Sequence, residues 1–206
     1  MNNKKFYSLI VAAVAIIALA AAGEKYEMLS IGAKAPKADV KMEDISGKQL
    51  SLTDIKQEKG LLVIFSCNTC LFVIAWEDRY PGLGELCAKN NIGMVLVNSN
   101  EARREGVDSK WEMKKHAEEK NYNCSYVIDE KSELANAFGA KTTPHVYLFD
   151  KDMKLVYRGA IDDSQGKEEV KPKELYLKNA IENLSTGKPI NPGETKQVGC
   201  SIKRAS

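Results

Sequence analysis

A mixed α/β fold, with a central sheet covered by helices on both faces, is what this 206-residue chain predicts. Short apolar runs rich in β-formers, at residues 61–66, 92–98 and 125–129, alternate with stretches whose apolar residues recur at helical spacing. Two more strand-like runs, 146–149 and 154–158, flank Asp150-Lys151-Asp152 as a hairpin, and a last helix follows over 172–184. The third observation is local: a C-x-x-C, Cys67-Asn68-Thr69-Cys70, stands where the first strand gives way to a helix.

Taken in order, residues 24–37 form a leader broken by Gly32 and Pro36. Alternation over 38–42 and 49–52, around Ser46-Gly47, predicts an N-terminal β-hairpin extension. The helix after Cys70 is expected to run towards Asn90 with a break at Pro81-Gly82. Residues 111–120 read as an exposed amphipathic helix, and 132–138 as a short helix closed by Gly139. Past Gly187, residues 188–206 carry two prolines, two glycines and little periodicity, so they form an irregular tail. The expected organisation is therefore 1–22 as signal peptide or anchor, 23–187 as one domain, and 188–206 as tail.

The first segment has a basic start, with Lys4 and Lys5, and an apolar stretch from Phe6 to Ala22 ending in small residues. That is the pattern of a secretory signal or, if uncleaved, a membrane anchor, and it implies an exported, periplasmic or extracytoplasmic protein. Without Lys4 and Lys5, 28 of the 30 basic residues remain against 28 acidic ones. A chain so balanced has no basic field for nucleic acid, and membrane contact is left to the N-terminal segment. At 44% hydrophobic residues it fills a core without disulfide staples.

The chemistry is expected at Cys67 and Cys70. A thiol at a helix start meets unpaired N–H groups and the positive dipole end, which should lower its pKa, while the second cysteine lies a turn inside to resolve the mixed disulfide. Zinc needs four ligands, there is no second C-x-x-C, and His116 and His145 stand far apart, so neither metal nor cofactor is assigned. Cys87 and Cys124 flank apolar elements and read as packing residues. Five cysteines leave an odd thiol, and Cys200, beside Gly199 in the tail, is expected to be mobile and accessible. It is a candidate to exchange with the Cys67–Cys70 couple or to dock the tail across it. Glu77 is an accessory candidate for proton transfer to Cys70, against the plainer reading of Glu77, Asp78 and Arg79 as a surface ion-pair cluster. His145 either approaches Cys67 or points to solvent.

Ile31-Gly32-Ala33-Lys34-Ala35-Pro36, Cys67-Asn68-Thr69-Cys70 with Glu77-Asp78-Arg79, Thr143-Pro144 and Gly199-Cys200-Ser201-Ile202-Lys203 together resemble the thioredoxin-fold alkyl hydroperoxide reductase/thiol-specific antioxidant (AhpC/TSA) branch, in a C-N-x-C subgroup. The resemblance implies a thioredoxin-like fold, a cis bond at Thr143-Pro144, and a substrate-binding surface at Thr143 and Pro144. It departs at Ser66, where tryptophan would precede the first cysteine, and at Thr69 and Leu71, where proline would stand. The implied activity is thiol-disulfide exchange with protein or small-molecule disulfides, the enzyme being recharged by an unidentified dithiol/disulfide partner. A peroxiredoxin-like peroxidase is the first alternative, although Ile64 occupies the place of that branch's threonine. A non-catalytic binding module is the second, and an intact C-x-x-C speaks against it.

Overall fold

The computed structural model describes residues 26–164 and 170–205. The expected signal or anchor at 1–22 lies outside the described residues; among those described, no helix is long and apolar enough to cross a membrane.

Seven strands form the central sheet: β1 (Met42–Asp44), β2 (Gln49–Leu50), β3 (Gly60–Ser66), β4 (Ile92–Asn98), β5 (Ser125–Ile128), β7 (His145–Asp150) and β8 (Leu155–Gly159), in the order β2-β1-β5-β4-β3-β7-β8. The short β6 (Thr142–Thr143) stands outside this sheet and pairs with β9 (Cys200–Ser201). Pairs β3–β4 and β4–β5 are parallel, whereas β7 and β8 run antiparallel on one side and β1 and β2 on the other. The sheet is therefore mixed, as the alternation followed by a hairpin predicts.

The helices are α1 (Leu52–Ile55), α2 (Leu71–Ile74), α3 (Tyr80–Lys89), α4 (Lys110–Glu119), α5 (Glu133–Phe138) and α6 (Tyr176–Thr186). Strand pleating divides the core in two. Leu62, Ile64, Leu96, Val146 and Leu148 join Val73, Tyr80, Leu83, Met113, Leu177 and Ile181, which places α2, α3, α4 and α6 on one face. Leu61, Val63, Phe65, Val95 and Val97 join Leu52, Leu134 and Phe138 on the other face, over α1 and α5. Every residue of β3 and of β4 is buried, which is why both read as unbroken apolar runs.

Three expectations shift. The hairpin is shorter, because Ser51 caps α1: its hydroxyl accepts from the Asp54 N–H while Asp54 accepts from the Ser51 N–H, so Leu52 enters a helix instead of a strand. The helix after Cys70 breaks earlier than Pro81. It closes after one turn, passes through a 3-10 turn at Glu77–Arg79, and restarts at Tyr80. Proline has no N–H and fits the first turn of a new helix, so Pro81 opens α3. Trp76 holds the break, its indole N–H donating to Asp162 Oδ1 at 2.8 Å and Ser164 Oγ at 2.9 Å.

The third shift concerns the tail, which is irregular but docked. Thr195 Oγ1 accepts from the Ala160 N–H at 3.0 Å and lies 2.7 Å from the Tyr157 hydroxyl. Ile202 is buried, and Arg204 donates to Asn136 Oδ1 and the Ala140 carbonyl. Two glycines make the approach possible. A Cβ on Gly159 would lie 2.2 Å from Thr195 Oγ1, and one on Gly199 would lie 2.4 Å from the Thr143 carbonyl oxygen.

Candidate active site

Cys67 follows the last residue of β3, and Cys70 is the N-cap of α2 with extended backbone. The expected placement is thus corrected: Cys70 caps the helix instead of lying a turn inside it, and Cys67 is three residues further out. Both are buried, at 2% and 5% exposure. They meet a common residue. Cys67 Sγ is hydrogen-bonded to Thr143 Oγ1 at 3.2 Å, and Cys70 Sγ lies 3.0 Å from the Thr143 carbonyl oxygen. The Thr143-Pro144 bond is cis.

Cys70 is disulfide-bonded to Cys200, while Cys67 is a free thiol. Cys200 is carried there by β9, whose pairing sets Thr143 opposite Cys200 and Thr142 opposite Ser201. The expectation of a mobile, unpacked Cys200 is corrected, because this pairing, the close approach at Gly199 and the burial of Ile202 fix the tail on both sides of it.

A depressed pKa was expected for Cys67, and the environment gives the opposite. Burial pushes the thiol up, and the Asp108 carboxylate pushes it further. The Thr143 hydroxyl and the N–H groups of Cys70 and Thr69 pull the other way without overcoming desolvation. A single-turn helix offers little dipole to help, since the macrodipole sums over aligned peptides.

Beneath the Cys67–Cys70 segment lies a buried polar network that sequence reasoning missed. Asp108, fully buried, accepts from the Asn68 N–H at 3.0 Å, from Asn98 Nδ2 at 2.8 Å and from Asn100 Nδ2 at 3.0 Å. The Tyr126 hydroxyl donates to Asn68 Oδ1 at 3.0 Å, and Asn68 Nδ2 donates to the Val107 carbonyl. Asn100 Oδ1 in turn accepts the Lys203 N–H at 2.8 Å, so one network braces both the cysteine segment and the tail. The legible signal was Asn98-Ser99-Asn100 at the carboxyl end of an apolar strand, the end where open α/β sheets build their sites. Asp108 itself, in a loop, gave none.

Glu77 is not on the surface. It is 2% exposed, with Oε2 at 2.7 Å from His116 Nε2 and accepting from the Tyr122 hydroxyl at 3.2 Å, and with Oε1 at 2.6 Å from Lys120 Nζ. Although burial raises its pKa, the bonds to His116 and Lys120 outweigh that and hold its carboxyl below the usual range. Among the described residues no hydrogen bond or ion pair joins Glu77 to the sulfur of Cys67 or Cys70; it ties the 3-10 turn to α4. Asp78 and Arg79 pair at 3.1 Å, and Arg79 also reaches buried Asp162 at 2.8 Å.

His145 meets neither expectation. It is fully buried, and burial lowers its pKa to about 3, so the imidazole is neutral. Strand alternation puts it with Tyr147 and Phe149, on the face of β7 away from the face that holds Cys67 with Val146. Cys87 and Cys124 are free, with burial pushing both thiols up to about 12. Trp111 is exposed, with the Lys115 ammonium over its ring.

A family model described as the AhpC/TSA family matches residues 31–158. The thiol-disulfide oxidoreductase ResA of Geobacillus thermodenitrificans (strain NG80-2) is 28% identical over 149 residues, spanning 69% of this chain and 75% of that one. The crystal structure of an uncharacterized conserved protein from Geobacillus kaustophilus superposes with a TM-score of 0.81 at 33% identity, covering 87% of this chain and 94% of the other. A hypothetical protein from Sinorhizobium meliloti 1021 gives a TM-score of 0.80 at 25% identity, covering 87% and 97%. The fold extends to more distant thioredoxin-like chains. On the family match and this fold, the chain belongs to the AhpC/TSA family and is an oxidoreductase of the thioredoxin-fold redoxin type.

Proposed function

We propose that the chain is an exported thiol-disulfide oxidoreductase that exchanges disulfides with protein substrates through Cys67 and Cys70. The observation that carries this reading is the convergence of both sulfurs on Thr143, beside Pro144, with one of them already in a disulfide. The likeness to ResA supports it, and the basic start and apolar stretch of residues 1–22 support export.

In the reduced enzyme the Cys67 thiolate attacks one sulfur of a substrate disulfide. A Cys67–substrate bond forms and the other substrate sulfur leaves as a thiolate. Cys70 then attacks the Cys67 sulfur, the Cys67–Cys70 bond forms, and the second substrate thiolate departs. Two electrons have passed to the substrate, and a dithiol partner returns them. Thr143 serves both steps: its hydroxyl stabilises the Cys67 thiolate, and its carbonyl, 3.0 Å from Cys70 Sγ, is placed to accept the Cys70 S–H once that sulfur is reduced and to keep it protonated until its turn. Thr143 and Pro144 also offer the surface on which an extended substrate segment lies.

Trapping tests the assignment. Cys70→Ser should accumulate mixed disulfides through Cys67, Cys67→Ser should not, and the wild-type protein should catalyse insulin reduction by dithiothreitol. Absence of both trapping and turnover removes the reading. Rapid peroxide consumption with a sulfenic acid on Cys67, in place of disulfide exchange, points to a peroxidase.

A further inference from the structure

A C-x-x-C pair would close on itself when oxidised, but here Cys70 is bonded to Cys200 and Cys67 keeps its thiol. Cys200 is built into this position. β9 pairs with β6, the Lys203 N–H donates to Asn100 Oδ1, the Ala102 N–H donates to the Lys203 carbonyl, and Gly199 lets the chain pass the Thr143 carbonyl where any side chain would collide. Asn100 belongs to the Asp108 network that also holds the Asn68 N–H between the two cysteines.

We propose that Cys200 is a third redox-active cysteine, which takes over the active-site disulfide at Cys70, regenerates the Cys67 thiol, and lays β9 along β6 in the closed form. The inference rests on the oxidoreductase reading above and extends it. After substrate reduction leaves Cys67–Cys70, the Cys200 thiolate attacks the Cys70 sulfur. The Cys70–Cys200 bond forms, the Cys67–Cys70 bond breaks, and Cys67 departs as a thiolate that takes up the proton Cys200 gave up. The exchange is an isomerisation with no net oxidation, so it needs no added oxidant. Cys70 is the shared atom, and Thr143 is the shared template, since its carbonyl touches Cys70, its hydroxyl touches Cys67 and its backbone pairs with Cys200.

The closed form has two consequences. With β9 on β6, the backbone edge beside Pro144 is occupied by the protein's own tail, and Cys67 is left only 2% exposed. Substrate therefore enters after a dithiol reduces Cys70–Cys200 and frees the tail. Resetting the enzyme is thus directed at Cys70–Cys200, while substrate reduction begins at Cys67.

The test is a disulfide map of the full chain oxidised at low concentration by excess insulin, then alkylated without reduction and cleaved with trypsin. Cleavage at Lys59, Arg79, Lys196 and Lys203 puts both active-site cysteines on residues 60–79 and Cys200 on residues 197–203. The expected product is these two peptides joined through Cys70, with the alkyl group on Cys67. In Cys200→Ser the joined product is lost, Cys67 becomes closed with Cys70, and its alkylation in the oxidised protein drops by about tenfold or more, because a disulfide sulfur is not a nucleophile. Gly199→Ala, which keeps the thiol but blocks the approach to Thr143, should lower the yield of joined peptide in the same direction. The inference is overturned if the wild-type map shows Cys67–Cys70 with Cys200 alkylated, or Cys200 linking two chains. It is equally overturned if Cys200→Ser turns over at the wild-type rate with an unchanged potential. In each of those cases insulin reduction by the wild type still stands, whereas failure of the oxidoreductase reading abolishes activity in wild type and variants alike.

Discussion

Cys67 with Cys70, and Cys87 with Cys124, are two sets of cysteines on the same side of the sheet, and burial alone does not tell them apart. Cys67, Cys70 and Cys87 are all nearly inaccessible, and burial raises the thiol pKa of Cys67, Cys87 and Cys124 alike. What differs is the company. Cys67 has a hydroxyl and two backbone N–H groups around it, and Cys70 has a disulfide partner delivered by the tail. Cys87 has desolvation and a neighbouring thiol, while Cys124 has the buried Asp44 carboxylate and one backbone bond from Leu96, with no hydroxyl and no disulfide partner among the described residues. A buried thiol is set up for exchange by the groups that stabilise its thiolate and by a second sulfur within reach, and burial alone supplies neither.

The widest expected separation is in turnover. If Cys67 is the nucleophile proposed above, Cys67→Ser should lower insulin reduction at least about 100-fold, whereas Cys87→Ala and Cys124→Ala should each leave it essentially unchanged. A comparable loss in Cys87→Ala, in a variant that still melts cooperatively, breaks the comparison.

Stability should respond in the opposite sense. Cys87→Ala opens a small void and should cost about 1–2 kcal/mol in denaturant unfolding. Glu77→Gln should cost about 1–3 kcal/mol by loosening the bonds to His116 and Lys120 around a buried carboxylate. Because the folded state holds the Glu77 carboxyl below its unfolded value of 4.5, its contribution is present above that pH and fades as pH falls through the folded pKa. The gap in stability between wild type and Glu77→Gln should therefore narrow on acidification, and a gap constant from neutral to acidic pH counts against this assignment. Glu77→Gln should also leave the alkylation profile of Cys67 where it is.

Titration of the thiols sharpens the comparison further. With Cys70 bonded to Cys200, the alkylation rate of Cys67 should keep rising past pH 9, because its thiolate forms above the ordinary value. A plateau near neutrality in that form overturns the raised pKa. The smallest expected effect is that of Asp108→Asn. Removing a negative charge near Cys67 favours the thiolate, so the profile should move to lower pH. The same change faces an amide N–H₂ towards the donors of Asn98 or Asn100 and lowers stability, but only loss of the charge moves the thiol profile.

Legibility in the sequence followed the range of the forces involved. Strands β3 and β4, the β7–β8 hairpin and the helices closed by Gly139 and Gly187 are set by patterns within a few residues, namely continuous apolar runs, a turn and left-handed glycine caps. The Cys67–Cys70 spacing at the end of a buried strand, and Thr143-Pro144 opening another, were equally local. Glu77, His145, Asp108 and Cys200 were not. Glu77 is buried because α4 and its C-cap, about forty residues on, bring His116 and Lys120 to it, and His145 is buried beside Tyr147 because of its parity along β7. The pKa of Cys67 turned on desolvation against a few donors, a balance that depends on how deeply the segment is covered. The sequence by itself determined the central strands, most of the helices and the placing of Cys67 and Cys70 at the end of β3. Only the tertiary structure decided which sulfur is bonded, because the partner lies 130 residues away and is held there by backbone pairing and a side-chain-free approach at Gly199, which no local pattern encodes.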